Sequence, residues 1–312
     1  MLNFLQYLKE YFRHIPRRDF LLISLFTAAL IVVNYTAGIE FTIKAIPSWE
    51  MRLVLFYFFY LFVLGVSYLV HLPSGDPLVR ETKKTFLLFL LAAPLYFAVK
   101  MVPWQPALPA VDHERLAGYQ YWIIVLQWPA KLLLLIIFLY ALRLSSGETD
   151  TSFFGCSLVQ FKPGPYFLLL LIMIPIIASA SLQADFLRVY PKLGIVNLLH
   201  PPTPVIWPWR LLFEICYGID FISVELFFRG FLVIGMMRLV GARAILPMAA
   251  LYCSVHFGKP LGECISSYFG GLVLGVIAYR TRTIAGGLMV HLGIAWMMEL
   301  GGWLGHLYVN SR

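Results

Sequence analysis

Charge is scarce in this chain. Only 13% of its 312 residues are Asp, Glu, Lys or Arg, against about 25% in soluble globular domains. Too little polar surface is available to cover a water-facing domain of this size, which excludes a soluble enzyme, a disordered chain and a nucleic-acid binder. Cysteine is also sparse. Cys156, Cys216, Cys253 and Cys264 form no CxxC pair, so neither a disulfide framework nor a zinc ribbon is expected and the thiols read as small packing residues. There is no internal repeat and no low-complexity tract.

Apolar residues dominate instead. They make up 60% of the chain, in long runs. A membrane-crossing helix needs about 20 apolar residues, because each residue rises about 1.5 Å through a hydrocarbon layer about 30 Å thick. Runs at 20–35, 53–70, 85–99, 121–142 and 167–182 are the clearest. Four more, at 211–239, 245–257, 265–279 and 284–304, carry polar residues. The 211–239 run is too long for one upright helix. It reads as an interfacial piece near 207–217 followed by a span from about Phe221. The expected fold class is all-α, a polytopic transmembrane helix bundle of about eight spans. Residues 1–150 would form an interfacial helix plus about four spans. The SSGETDT stretch at 145–151 would link them to a helical core over 151–312 that carries the polar site.

The net charge of +8 suits basic loops beside an anionic leaflet. With eight alternating spans, thirteen Lys and Arg, among them Arg17, Arg18, Arg80, Lys83, Arg243 and Arg280, fall on one side and nine on the other. That bias puts the N-terminus in the cytoplasm, with a bacterial inner (plasma) membrane as the expected location. Residues 1–16 read as an amphipathic helix on the membrane surface rather than a signal peptide. The bilayer and a peptide or membrane-protein substrate are the expected partners, and no nucleic acid.

Ionisable groups inside spans are costly and persist where they pair or line a wet cavity. Glu225 and Arg229, spaced i, i+4 in Ser223-Val-Glu-Leu-Phe-Phe-Arg-Gly230, share a helix face with the acid N-terminal to the base. A structural ion pair is the plain reading. A carboxylate held ionised in a dry site is the functional one. His256 follows Tyr252 by four residues, and His291 sits in the last run. A lone intramembrane His is usually a packing residue, but two, with a Glu–Arg pair, in three separate runs make a candidate site. A carboxylate and a His activate water, and a second His donates to an oxyanion. Alternatively Glu225, His256 and His291 form a His₂Glu zinc set. Both readings lead to hydrolysis. Glu263, in a first helical turn, suits the helix dipole or supplies a further carboxylate. Glu299 is placed near the outer interface, and Lys131 either snorkels or faces the interior. Cys253 is i, i+3 from His256, but nothing electropositive activates it as a nucleophile.

Glu-x-x-x-Arg-Gly, then Tyr-x-x-x-His, then a His in the final run resembles the CPBP family of CAAX prenyl proteases and bacteriocin-processing (Abi) proteins, over about 213–304. The resemblance implies an intramembrane peptidase in which a first-motif Glu and the second-motif His activate water and the last His with an Asn forms the oxyanion site. It is compatible with zinc or with a metal-free glutamate mechanism. Val224 stands where the first Glu of the family's Glu-Glu pair belongs, and Ala295 where the Asn belongs. These departures support the alternative of a catalytically inactive membrane binding or scaffold protein. A transporter is disfavoured by the lack of repeats.

Overall fold

In a computed structural model the chain is described over residues 2–72, 82–102, 113–147, 152–159, 161–194, 196 and 205–310. Arg80 and residues 148–151 of the expected linker lie outside them. Helices and the turns between them make up the described residues, with no strand among them. In chain order the helices are α1 (Leu2–His14), α2 (Arg17–Ala37), α3 (Ile39–Ala45), α4 (Trp49–His71), α5 (Lys83–Met101), α6 (His113–Ser146), α7 (Gly164–Ala180), α8 (Ala184–Leu187) and α9 (Trp207–Glu225). A π-helix (Leu226–Gly235), α10 (Met237–Val240), a 3₁₀ turn (Gly241–Ala244), α11 (Ile245–Ser254), α12 (Leu261–Thr281) and α13 (Ala285–Asn310) follow.

Five of these, α2, α4, α5, α6 over its Tyr119–Ser146 part, and α12, are long and apolar enough to cross a membrane. The expected count of about eight is not established by these helices. The 245–257 run explains part of the difference. Its helix, α11, has ten residues, about 15 Å at 1.5 Å per residue, half a bilayer core. The 211–239 run also differs from expectation. It has no break near residues 218–220: α9 runs unbroken through them to Glu225, and the change of geometry comes at Leu226.

The chain divides into two compact units. Residues 1–103, 138–161 and 225–287 form the first, and residues 104–137, 162–224 and 288–312 the second. In the first, every residue of α11 is buried, because it packs against α12, α4, α2 and the π-helix at once. A helix apolar on all sides belongs in such an interior. The N-terminal helix forms as expected, and its inner face packs on α12, with Tyr11 buried and Glu10 paired to Arg280 at 2.8 Å. Asp19 in the first turn of α2 meets His71 in the last turn of α4 at 2.9 Å.

The second unit is built on aromatic rings. Tyr121 donates to the Trp209 carbonyl at 2.7 Å, and Trp128 packs edge-on against Phe213. Lys131 is buried and donates to Gln127 at 3.0 Å, so it faces the interior. Glu299 is buried, and its two carboxylate oxygens accept the backbone N–H groups of Lys192 and Leu193, each at 2.9 Å. It anchors that turn rather than serving as a surface group. Glu299→Ala strands both donors, at about 1–3 kcal/mol per buried orphan. The expected outcome is a fall of several degrees in the thermal midpoint of the purified protein, partly restored in Glu299→Gln, which keeps one acceptor.

Candidate functional site

Glu225 ends α9 with regular helical dihedrals, φ −67° and ψ −42°. From Leu226 the backbone widens to π geometry, as in the Met236 N–H bond to the Phe231 carbonyl at 3.2 Å. All ten π-helical residues are buried. Two of them are glycines that admit the Phe154 loop: a Cβ at Gly230 would lie 2.7 Å from the Phe154 carbonyl oxygen, and one at Gly235 would lie 2.8 Å from its ring. Single π turns recur at functional sites because they re-aim side chains. Here the widening falls after Glu225. It leaves Glu225 about 100° from residue 224, so Glu225 does not swing into the place of the missing first carboxylate. Val224 is half-buried, whereas Glu225 is wholly enclosed.

Arg229 and Glu225 are both fully buried, and Nη1 of Arg229 lies 3.1 Å from Oε1 of Glu225. The guanidinium carbon sits 4.4 Å above the centre of the Tyr252 ring, a cation–π contact worth about 2 kcal/mol when desolvated. Phe228 braces that ring edge-on at 4.8 Å. The carboxylate also rests against the first turn of α13, where the helix dipole favours negative charge. A Cβ added at Gly287 would overlap the Glu225 carboxylate, so this approach requires glycine. Gly287→Ala must push the carboxylate aside. Overpacking costs about 1–3 kcal/mol, and a lowered thermal midpoint is the expected reading; Gly270→Ala, which meets open space, serves as the neutral control.

His256 stands in the turn after α11, half-buried. Its Nδ1 lies 2.7 Å from the Tyr252 carbonyl oxygen. A carbonyl only accepts, so Nδ1 carries the proton and the lone pair is on Nε2. The imidazole packs against the Tyr252 ring at 4.6 Å. Glu225, Arg229, Tyr252 and His256 thus form one continuous contact chain inside the first unit.

Sequence reasoning missed the groups that hold this turn. Asn34 Nδ2 donates to the Phe257 carbonyl at 3.2 Å, and its Oδ1 accepts the Glu40 N–H at 3.0 Å. The Tyr35 hydroxyl donates to the Lys259 carbonyl at 2.6 Å. The Glu40 carboxylate lies against Gly258, where a Cβ would come within 2.7 Å of Oε1. One signal was present in the sequence: an Asn inside an apolar run needs partners for its amide.

Glu263 pairs with Lys259 at 2.9 Å, so its charge already has a partner. His291 lies in the second unit, half-buried, with its ring stacked on Phe221 at 5.9 Å and 30°. One turn on, Ala295 is buried in a cluster with Tyr121, Val125, Val196, Phe213, Cys216 and Tyr217. The position of the family's Asn is therefore an apolar one here. Among the described residues no three His, Cys, Asp or Glu side chains gather as a metal-binding group. The carboxylate named in the zinc alternative lies beside the Arg229 guanidinium.

Residues 203–297 match the family model for type II CAAX prenyl endopeptidase Rce1-like proteins. No curated protein and no solved structure matches the chain significantly. The matched segment includes Glu225, Arg229, Tyr252, His256 and His291. The match thus supports the CPBP/CAAX protease family for the segment that carries these residues, and the five membrane-length helices support an integral membrane protein.

Proposed function

We propose that the chain is an intramembrane peptidase that hydrolyses peptide or membrane-protein substrates with water activated by His256 and Glu225. The observation that carries this reading is the unbroken contact chain from the buried Glu225–Arg229 pair through Tyr252 to His256. With Nδ1–H committed to a carbonyl, Nε2 of His256 is the base that takes a proton from water. Arg229 holds Glu225 ionised, and the carboxylate stabilises the imidazolium that forms. His291, its ring stacked on Phe221, is kept as the candidate oxyanion donor that the family pattern suggests. Glu263 is a reserve carboxylate, lodged on Lys259. The family points to prenylated CAAX peptides as the first substrates to try. The N-terminus is assigned to the cytoplasmic side by the basic loops, in a bacterial inner membrane, with about eight crossings in all.

A second reading is favoured by one specific observation. Ala295 sits in an apolar cluster, not a polar pocket awaiting an amide, which suits a relative that kept the fold without the chemistry. The two readings separate in one assay. Purified protein in nanodiscs is given quenched-fluorescent CAAX peptides, prenylated and unprenylated, beside a Glu225→Gln variant. Cleavage by the wild type, reduced at least about 100-fold in Glu225→Gln, supports the peptidase. Wild-type and variant rates equal to the no-protein blank support the inactive relative.

A further inference from the structure

We propose that Cys253 and Cys264 form an oxidisable dithiol, a modification site at which a peroxide converts two buried thiols into an intramolecular disulfide that clamps the His256 turn. Their sulfurs are 3.8 Å apart. Cys253 occupies the last turn of α11 and Cys264 the first turn of α12. Each thiol points at the other's backbone carbonyl, Sγ of Cys253 lying 3.3 Å from the Cys264 oxygen and Sγ of Cys264 lying 3.8 Å from the Cys253 oxygen. The two side chains are therefore aimed across the same helix crossing, and closing to a bond length of about 2.05 Å requires a movement of about 1.8 Å. Both residues are buried. The crossing nevertheless lies at the loop end of the helices, beside the exposed residues Gly258, Leu261 and Gly262, a short path for an oxidant as small as hydrogen peroxide.

The chemistry balances with one peroxide. The thiolate of one cysteine attacks a peroxide oxygen, the O–O bond breaks, and a sulfenic acid forms as hydroxide leaves and is protonated to water. The second sulfur then attacks the sulfenic sulfur, the S–S bond forms, and hydroxide leaves to take up the second thiol proton as water. Two thiols lose two electrons and two protons, and hydrogen peroxide becomes two waters. The bond closes the segment between residues 253 and 264, which contains His256 and Glu263, into a ring. Of the other two cysteines, Cys156 is exposed and Cys216 lies in the second unit.

The test uses the full-length wild-type protein in nanodiscs, treated with limiting hydrogen peroxide, quenched, then denatured in the presence of an alkylating agent and mapped by mass spectrometry without reduction. The count of alkylatable thiols after denaturation should fall from four to two, with a single cross-linked species joining the peptides that hold Cys253 and Cys264. A reductant should restore four. A Cys156→Ser/Cys216→Ser double variant, which leaves the helix crossing intact, should oxidise to the same species, its count falling from two to zero. Hydrogen exchange of amides 255–263 should slow at least about threefold on oxidation. The proposal is overturned if Cys253 and Cys264 stay alkylatable in the peroxide-treated double variant, if they end as separate sulfinic or sulfonic acids, or if exchange of 255–263 is unchanged. None of these readouts depends on peptidase activity.

Discussion

Replacing Arg229 with methionine is expected to unfold a large fraction of the protein or lower its thermal midpoint by well over ten degrees. Arg229 and Glu225 are both wholly enclosed, 3.1 Å apart. Removing one partner of a buried pair leaves an uncompensated charge, which costs about 3–5 kcal/mol, a large share of the about 5–15 kcal/mol that holds a typical domain folded. The variant also loses the cation–π contact with Tyr252. The companion Glu225→Leu/Arg229→Met removes both charges and keeps most of the volume. It is expected to recover most of the lost stability while remaining inactive, because a well-packed apolar pair is often as stable as the ion pair it replaces. Thermal unfolding of the two variants, followed by tryptophan fluorescence in the same detergent, checks this. If Arg229→Met is as stable as the wild type, the pair is not the buried anchor described above.

His256→Ala is expected to keep the fold and abolish hydrolysis. The imidazole is half-buried in a turn, and the turn has its own anchors in Asn34 and Tyr35. Loss of the base should lower kcat by about 100- to 10,000-fold with a thermal midpoint within a few degrees of the wild type. His256→Gln separates positioning from base chemistry, since its amide keeps a polar group in the turn but has no basic nitrogen. A cleavage rate in His256→Gln close to that of the wild type would remove His256 from the mechanism. The opposed patterns of the two sites, stability at Arg229 and turnover at His256, follow from their burial rather than from residue type.

Much of this was readable in the chain itself. Low charge and long apolar runs left a membrane protein as the class able to bury them. The i, i+4 spacings of Glu225 with Arg229 and of Tyr252 with His256 are local, and local spacing survives folding: both contacts form. The role of Gly287 was not readable. It looks like any packing glycine until the Glu225 carboxylate, more than sixty residues earlier, is set against it. Nor was the role of Glu299 readable. Two backbone N–H groups about a hundred residues away decide its role, and no periodicity encodes such a partner.

Composition and short-range spacing, then, determined by themselves the all-helical class with membrane-length apolar runs and the local Glu225–Arg229 and Tyr252–His256 contacts, because hydrophobic burial in lipid and helical repeat depend on residue order alone. Tertiary structure decided the rest. It made α11 too short to cross a bilayer core, since the helix is buried among neighbours and need not span. It placed the π-helix after Glu225 rather than before it, where loop packing by Phe154 meets two glycines. It surrounded Ala295 with apolar side chains and brought two thiols to 3.8 Å. These depend on which distant surfaces meet, and that is set by packing across the whole fold.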